Sequence, residues 1–258
     1  MRALFIGDVF GKPGRSALLE KLPALRATSG PFDFVVINCE NAAAGFGMTE
    51  RLMDELFALG VDVMTSGNHI WDKKEFVPVL NSEPRVLRPA NYPPGALGVG
   101  FGIFEKNGLK LGVLNLQGRA FMPPIDCPFR VSDNALSLLG ATAILVDFHA
   151  EATAEKVALA RYLDGRVSAL VGTHTHVQTA DNVVLPGGTA FISDVGMTGG
   201  HGGVIGMRYD SVLPKFLTGV PSRFEVEESS RRVQGVVIDI DNETGRALDI
   251  QRVDEAVD

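Results

Sequence analysis

The chain has 258 residues and a net charge of −7, with 45% hydrophobic and 21% charged residues. This balance is typical of a folded, soluble protein and argues against intrinsic disorder. No block of lysine or arginine stands out, so the electrostatic footprint of a protein that binds long nucleic acid is absent. A small nucleotide remains compatible with this charge.

The length accommodates one α/β domain that spans residues 1–258 and has its own core. The two cysteines, Cys39 and Cys127, show no repeat spacing, which favours a reducing cytoplasm over a disulfide framework. The N-terminal stretch reaches Asp8 too early for a signal-peptide core, and no apolar run approaches the length of a membrane span. We therefore expect a cytoplasmic protein without a membrane partner, and a homo-oligomer is compatible with these features.

The first part of the chain alternates strands with helices. Apolar and β-branched runs predict three strands: Ala3–Ile6, Phe32–Cys39 and Val61–Thr65. Amphipathic spacing predicts helices over Arg15–Thr28, bent at Pro23, and from Thr49 to Leu59. Such a βα rhythm implies parallel strands, whose carboxyl ends form the usual ligand-binding edge of the sheet.

The rest of the chain departs from this rhythm. The pattern predicts a helix over Lys73–Leu80, a hairpin of strands 99–105 and 109–117 closed around Lys106–Gly108, and an irregular lid or interface loop over 118–130. A strand over Ala141–Phe148, a helix over Thr153–Leu163 and a strand over Val167–Val171 follow. The remaining apolar runs suggest a second, largely antiparallel sheet, made of 183–185, 190–192, 234–240 and 247–253.

Residues that can bind metals cluster at the predicted strand ends. Four of the five histidines follow apolar runs, and acids or amides follow others; the set is Asp8, Glu40, Asn41, Asn68, His69, His149, His174 and His176. A histidine taken singly could equally cap a strand by binding a backbone carbonyl. The recurrence of the same position after several strands favours a metal site.

The stretch 170–178 contains the strongest local signal, because His174 and His176 alternate with threonines after an apolar run. On an extended backbone, residues two apart point to the same face. We therefore expect both imidazoles to approach one object together, and a metal centre is the object that suits them.

The chemistry of the donor set indicates which metals to expect. Carboxylates, amide oxygens and imidazoles suit iron, manganese or zinc better than calcium or magnesium. Eight candidates exceed the needs of one ion, whereas two ions bridged by a carboxylate, about 3.5–4 Å apart, would use them and would suit phosphoryl-type displacement.

The order of these motifs resembles the calcineurin-like metallophosphoesterases. The matching segments are Gly7–Asp8, Gly67–Asn68–His69, His149 and Gly172–Thr173–His174–Thr175–His176. Two positions depart from the pattern of that superfamily: Phe10 stands where a histidine is usual, and Glu40 replaces the usual bridging aspartate. These departures, together with segments 7–15 and 67–72, resemble the YmdB-like branch over nearly the whole chain.

The resemblance implies a four-layer αββα sandwich with mixed sheets, a dinuclear centre with iron or else manganese, and phosphodiesterase activity on 2',3'-cyclic nucleotides. It also implies the roles of the site residues: a first metal on Asp8, Asn41 and His176, a second on Asn68, His149 and His174, and Glu40 as the bridge. His69 becomes the candidate general acid. A hydroxide held between the two ions is then expected to attack phosphorus in line with the leaving ribose oxygen.

Several alternatives stay open at this level. The same metals would also serve a phosphomonoesterase or nucleotidase, and a protein that only binds nucleotide for regulation is the alternative outside the enzymes. Asp72 could orient His69 or could cap a helix that starts at Lys73. Around the loop 118–130, the side chains of Arg119, Phe121 and Arg130 could contact substrate or another subunit. His201 could approach substrate or face solvent.

Overall fold

A computed structural model describes residues 1–257. The six α-helices of this range are α1 Gly11–Thr28, α2 Glu50–Ala58, α3 Val79–Ser82, α4 Pro128–Leu138, α5 Thr153–Leu163 and α6 Tyr209–Thr218, and a 3₁₀ helix covers Asn68–Trp71. The strands are β1 Arg2–Ile6, β2 Asp8–Val9, β3 Phe34–Asn38, β4 Val63–Thr65, β5 Phe101–Lys106, β6 Leu109–Gln117, β7 Ala143–His149, β8 Ala169–Thr173, β9 Val183–Val184, β10 Ala190–Ile192, β11 Met197–Gly200, β12 Arg231–Ile240 and β13 Ala247–Ala256.

The first sheet contains the N-terminal βα units. Its strands lie in the order β2-β11-β12-β1-β3-β4, and β13 pairs with the other edge of β12. Strands β1, β3 and β4 run parallel, as their crossover helices α1 and α2 require. Strand β12 runs antiparallel to β1, so the sheet is mixed.

The second sheet contains the middle of the chain, in the order β5-β6-β7-β8-β10-β9. The predicted hairpin of β5 and β6 is confirmed, and β6, β7, β8 and β10 are parallel. The carboxyl ends of β7 and β8 therefore lie at one edge, where His149 and the two later histidines follow.

Three apolar clusters separate four layers. Alternation along β1 directs Leu4 and Ile6 toward α1 and α2, whereas Phe5 points to the space between the sheets. That central cluster joins Phe5 of the first sheet to Val113 and Leu145 of the second. A third cluster packs α4 and α5 against the outer face of the second sheet. The predicted αββα sandwich with mixed sheets is thus confirmed.

Some local predictions are wrong. The strands of the C-terminal part do not form a sheet of their own: β9 and β10 extend the second sheet, whereas β12 and β13 belong to the first. The predicted helix over 73–80 is reduced to α3, because most of that segment forms turns. The irregular segment ends early, since Pro128 begins α4 at a position where a missing N–H costs nothing.

No helix within residues 1–257 has the length and apolar character needed to cross a lipid bilayer.

Candidate metal centre

The strand-end residues of both sheets meet at one place. The Nε2 atom of His149, at the end of β7, lies 2.9 Å from Oε1 of Glu40, which follows β3. The same Nε2 atom lies 3.0 Å from Nδ1 of His174. Glu40, His149 and His174 can each direct one donor atom into a space less than 4.8 Å across, which is a suitable size for a metal site.

Asp8 and His176 extend this cluster. The Oδ2 atom of Asp8 accepts a hydrogen bond from the backbone N–H of His174 at 3.1 Å, and it lies 3.9 Å from Nε2 of His176. Asn68 is next to the cluster, because a Cβ added to its neighbour Gly67 would lie 2.1 Å from the His149 ring. Only glycine allows this approach.

Unpartnered oxygen atoms are the observation that tests whether metals fit here. Within residues 1–257, the buried side-chain oxygens that lack a hydrogen-bond partner are Asp8 Oδ1, Asn41 Oδ1 and Asn68 Oδ1. A buried polar atom without a partner costs free energy unless something else binds it. Three such atoms in one cluster, together with three imidazoles, fit bound transition-metal ions.

The ring of His149 is held from behind by a buried hydrogen-bond chain. The Thr173 hydroxyl donates to Asp147 Oδ1 at 2.8 Å and therefore accepts from Nδ1 of His149 at 2.9 Å. Asp147 also accepts from Asn38 and Thr65, so its carboxylate is satisfied although it is fully buried. This chain places a proton on Nδ1 and directs Nε2 toward Glu40 and His174.

The other two rings are held in the same way. His174 presents Nε2 to Oε2 of Glu151 at 3.2 Å, which leaves Nδ1 facing His149. His176 donates from Nδ1 to the carbonyl of Ile205 at 3.0 Å, which leaves Nε2 facing Asp8. Each imidazole thus has one nitrogen directed into the cluster and one occupied outside it.

The predicted extended backbone at the two histidines is wrong. Strand β8 ends at Thr173, and His174 and His176 have φ angles of 101° and 65°. Positive φ is unfavourable for residues with a side chain, so the surrounding structure must stabilise this segment. The rings converge because the chain turns sharply, not because they alternate along a strand.

A buried ion pair supports that turn. Asp194 accepts at Oδ2 from the backbone N–H of Thr175 at 3.0 Å and from the Thr175 hydroxyl at 2.8 Å. The same oxygen lies 2.8 Å from Nζ of Lys156, and both side chains of the pair are almost completely buried. The carboxylate therefore fixes the residue between the two histidines.

His69 differs from the other histidines. Its backbone N–H donates to Glu40 at 2.9 Å, while its ring, partly exposed, binds Asp72 Oδ2 through Nδ1 at 2.7 Å. Asp72 therefore orients His69; the alternative of a helix cap is wrong, because the next α-helix begins at Val79. The remaining nitrogen, Nε2, is free for proton transfer.

Burial and neighbouring charges shift the pKa values of several side chains in the cluster. Burial raises the pKa of Asp8 well above its usual value despite the opposing attraction of His149. Burial also opposes ionisation of Glu40, but His149 outweighs it and lowers the pKa of Glu40. Burial, together with the charge of His149, lowers the pKa of His174 to about 3, so this ring stays neutral, as a metal ligand must.

A pocket of about 380 Å³ opens over the cluster. One side is polar and contains Glu40, Asn41, His69, His174 and His176. The rest of the lining is largely apolar and is supplied by loops and by α6. This volume suits a small molecule of nucleotide size.

Other candidates lie outside the pocket or are inert. Arg119, Phe121 and Arg130 do not line it, and Phe121 is 92% exposed. His201 is half-buried and its Nε2 contacts the carbonyl of Met197 instead of the pocket. Cys39 is fully buried, and burial raises the pKa of its thiol, so its role is packing.

Comparison with known proteins decides the family. The family model described as YmdB-like protein matches residues 4–253. The chain belongs to this YmdB-like family. It is 50% identical over 255 residues to a Bacillus subtilis (strain 168) protein named 2',3'-cyclic-nucleotide 2'-phosphodiesterase, with 98% of this chain and 96% of the relative covered.

Solved structures agree with this assignment. A hypothetical protein from Thermus thermophilus superposes with a TM-score of 0.93 at 44% identity, and 99% of each chain is covered. A structure described as a novel phosphatase from Mycoplasma pneumoniae superposes with a TM-score of 0.94 at 33% identity, covering 99% of this chain and 93% of the other. The resemblance to the YmdB-like metallophosphoesterases, and with it the expectation of an enzyme, is confirmed.

Proposed function

We propose that this protein hydrolyses phosphodiester bonds of small nucleotides, with 2',3'-cyclic nucleotides as its substrate class. The observation that carries the proposal is the cluster of buried metal-binding atoms, three of them unpartnered oxygens, at the bottom of a pocket of nucleotide size. The name of the Bacillus subtilis relative supports the same substrate class.

The contacts suggest how two metal ions would be held. We assign Asp8, Asn41 and His176 to one ion, and the approach of His176 to Asp8 supports this grouping. We assign Asn68, His149 and His174 to the other ion, which the contact of His149 with His174 supports, and Glu40 would bridge the pair. Two such ions, with iron expected and manganese as the alternative, supply Lewis acidity at the phosphoryl oxygens and activate water.

His69 is the proposed general acid. Because Asp72 accepts the proton of Nδ1, a protonated His69 ring carries its second proton on Nε2. During hydrolysis the oxygen of a water molecule bonds to phosphorus as the bond between phosphorus and the ribose oxygen breaks, and the ribose oxygen takes the proton from Nε2. The hydrogen bond from the His69 backbone to Glu40 holds the acid at the rim of the metal centre.

A phosphomonoesterase with the same centre is the second candidate, since the Mycoplasma pneumoniae structure is described as a phosphatase. A monoester carries a dianionic phosphate, which enzymes commonly neutralise with arginine. Within the part of the chain that the structure describes, the pocket contains Lys215 but no arginine. This lining favours the less charged diester.

The experiment is a substrate panel with protein purified without oxygen and reloaded with iron or manganese. The panel contains 2',3'-cyclic AMP, 3',5'-cyclic AMP, the 2'- and 3'-monophosphates of adenosine, and bis-p-nitrophenyl phosphate. We expect 2',3'-cyclic AMP to be hydrolysed to a product that keeps one phosphate. Hydrolysis of the monophosphates alone would show a phosphomonoesterase. The absence of turnover with any metal would contradict the proposal that the protein is an enzyme.

A further inference from the structure

The pocket has an apolar side that metal chemistry does not need. We call it the aromatic wall and define it by Phe46, Ile205, Phe216 and Phe224. The wall begins directly beside the proposed acid, because the rings of Phe46 and His69 are in edge contact with centroids 5.0 Å apart. The wall is therefore adjacent to the place where the proposed reaction occurs.

A small apolar cluster supports the wall from behind. Phe10, Met197, Met207 and Val212 are buried together, and Phe46 and Phe224 pack against them. Val212 of α6 packs into this cluster. Phe216 lies one turn later on the same face of the helix. Phe216 nevertheless stays 77% exposed although it lines the pocket.

We infer that the aromatic wall binds the base of the nucleotide by stacking and does not distinguish one base from another; this inference rests on the proposed function. In a cyclic nucleotide the base is attached to the same ribose as the phosphate. With the phosphate at the metal centre, the base has the adjacent wall within reach. Flat aromatic side chains are the usual stacking partners of bases.

The composition of the wall explains the lack of discrimination. Base identity is read by hydrogen bonds to the edges of the base. The four side chains of the wall carry no hydrogen-bonding group. Within the described residues, two further polar side chains of the lining have partners of their own, since Glu151 contacts His174 and the Thr175 hydroxyl donates to Asp194, and Lys215 lies beside the wall. The Lys215 Nζ atom lies 5.2 Å from the centroid of the Phe224 ring, so this ammonium group makes a cation–π contact with the wall.

A comparison of two substrates and two variants tests this inference. The substrates are adenosine 2',3'-cyclic phosphate and glycerol 1,2-cyclic phosphate, which carries the same five-membered diester without a base. The variants are Phe216→Ala and Leu217→Ala. Leu217 is the matched control, because it is adjacent on α6 and 74% exposed but does not line the pocket.

We expect Phe216→Ala to lower kcat/KM for the adenosine substrate about tenfold, mainly through KM, since a lost stacking partner acts on binding. The glycerol substrate should be unaffected, and Leu217→Ala should match the wild type on both. Across the four bases the wild-type kcat/KM should vary within about tenfold, with purines ahead because they stack over a larger area.

Three outcomes overturn the base subsite. Phe216→Ala could lower both substrates equally, Leu217→Ala could have the same effect as Phe216→Ala, or one base could be preferred by far more than the stacking difference. If Phe216→Ala changed the molecular mass of the protein in solution but left KM unchanged, a second copy of the chain would cover the wall instead of a base. If the wild type hydrolysed neither cyclic phosphate, the proposed function itself would fail, and the subsite with it.

Discussion

The two sides of the pocket are built in opposite ways. The candidate metal centre lies at strand ends of both sheets, its residues are largely buried, and each proposed imidazole ligand has an outer partner: Thr173, Glu151 or the Ile205 carbonyl. The aromatic wall comes from loops and from α6, and its most prominent ring is mostly exposed.

From this difference we infer different roles for the two sides of the pocket: catalysis at one and binding of the base at the other. Groups that take part in the chemistry must keep their geometry within fractions of an ångström, and buried strand ends provide that rigidity. A surface that stacks any base needs less precise positions, so connecting segments suffice. Substitutions in the metal centre should therefore abolish the reaction, whereas substitutions in the wall should change substrate affinity.

The largest effect should come from Glu40→Gln. This change keeps the size of the side chain but removes the charge that lies between His149 and the His69 backbone. We expect activity to fall to background and metal content, measured by elemental analysis, to fall with it. The exposed Glu105, on β5, offers a control: Glu105→Gln should leave both quantities unchanged. Full turnover in Glu40→Gln would remove Glu40 from the centre.

His69→Ala should come next. Loss of a general acid typically lowers kcat by about 10²- to 10⁴-fold. Metal content should remain at the wild-type level, because His69 reaches the cluster through its backbone and not through its ring. A metal-free His69→Ala protein would instead identify His69 as a ligand.

Asp72→Asn should cause a smaller loss of kcat, since it disturbs only the orientation of the ring.

Lys156→Met tests the support of the turn between the two histidines. Breaking a buried ion pair leaves the charge of Asp194 unpaired and typically costs about 3–5 kcal/mol of the free energy of unfolding. Metal affinity should fall by about 10- to 100-fold, as for other residues that position ligands. Urea unfolding and metal titration measure both quantities.

The control for that variant is Arg166→Met, which breaks an exposed pair with Asp133. It should have little effect on either quantity, because solvent screens exposed pairs. Equal effects of the two variants would show that the turn does not depend on the buried pair.

Metal binding should also depend on pH. Without metal, burial disfavours the charged form of His149, but Glu40 and Asp8 outweigh burial and raise the pKa of His149 from 6.5 to about 9. A metal must displace this proton, so affinity should rise with pH by up to about tenfold per unit and level off above the raised pKa. Titration calorimetry in two buffers measures the released proton. A pH-independent affinity between 6.5 and 9 would contradict a raised pKa.

Much of the centre could be predicted because parallel βα units place strand ends together. Asp8 and Glu40 follow neighbouring strands of the first sheet, whereas His149 ends β7 of the second sheet and joins them because the two sheets pack against each other. The turn at His174 and His176 could not be predicted, because positive φ depends on the remote contact of Thr175 with Asp194. Proposals for the role of each residue rest on the resemblance and on these contacts.

The residues that support the candidate ligands are harder to recognise from the sequence. Lys156 stands on the apolar face of α5, in spacing with Leu159, Ala160 and Leu163, and a charge in that position predicts a buried partner. Asp147 interrupts the apolar run of β7 in the same way. The helix α6, which supplies Phe216 of the wall, is not among the predicted helices, and it carries Pro214 in its interior.

The dinuclear centre can be tested by stepwise titration of metal-free protein with manganese or with ferrous iron under anaerobic conditions, with turnover of 2',3'-cyclic AMP recorded at each ratio. We expect activity to appear as the second ion binds and to reach its plateau at two ions per chain. A plateau at one ion per chain would contradict the dinuclear centre, and no turnover at any ratio with either metal would contradict the proposed reaction.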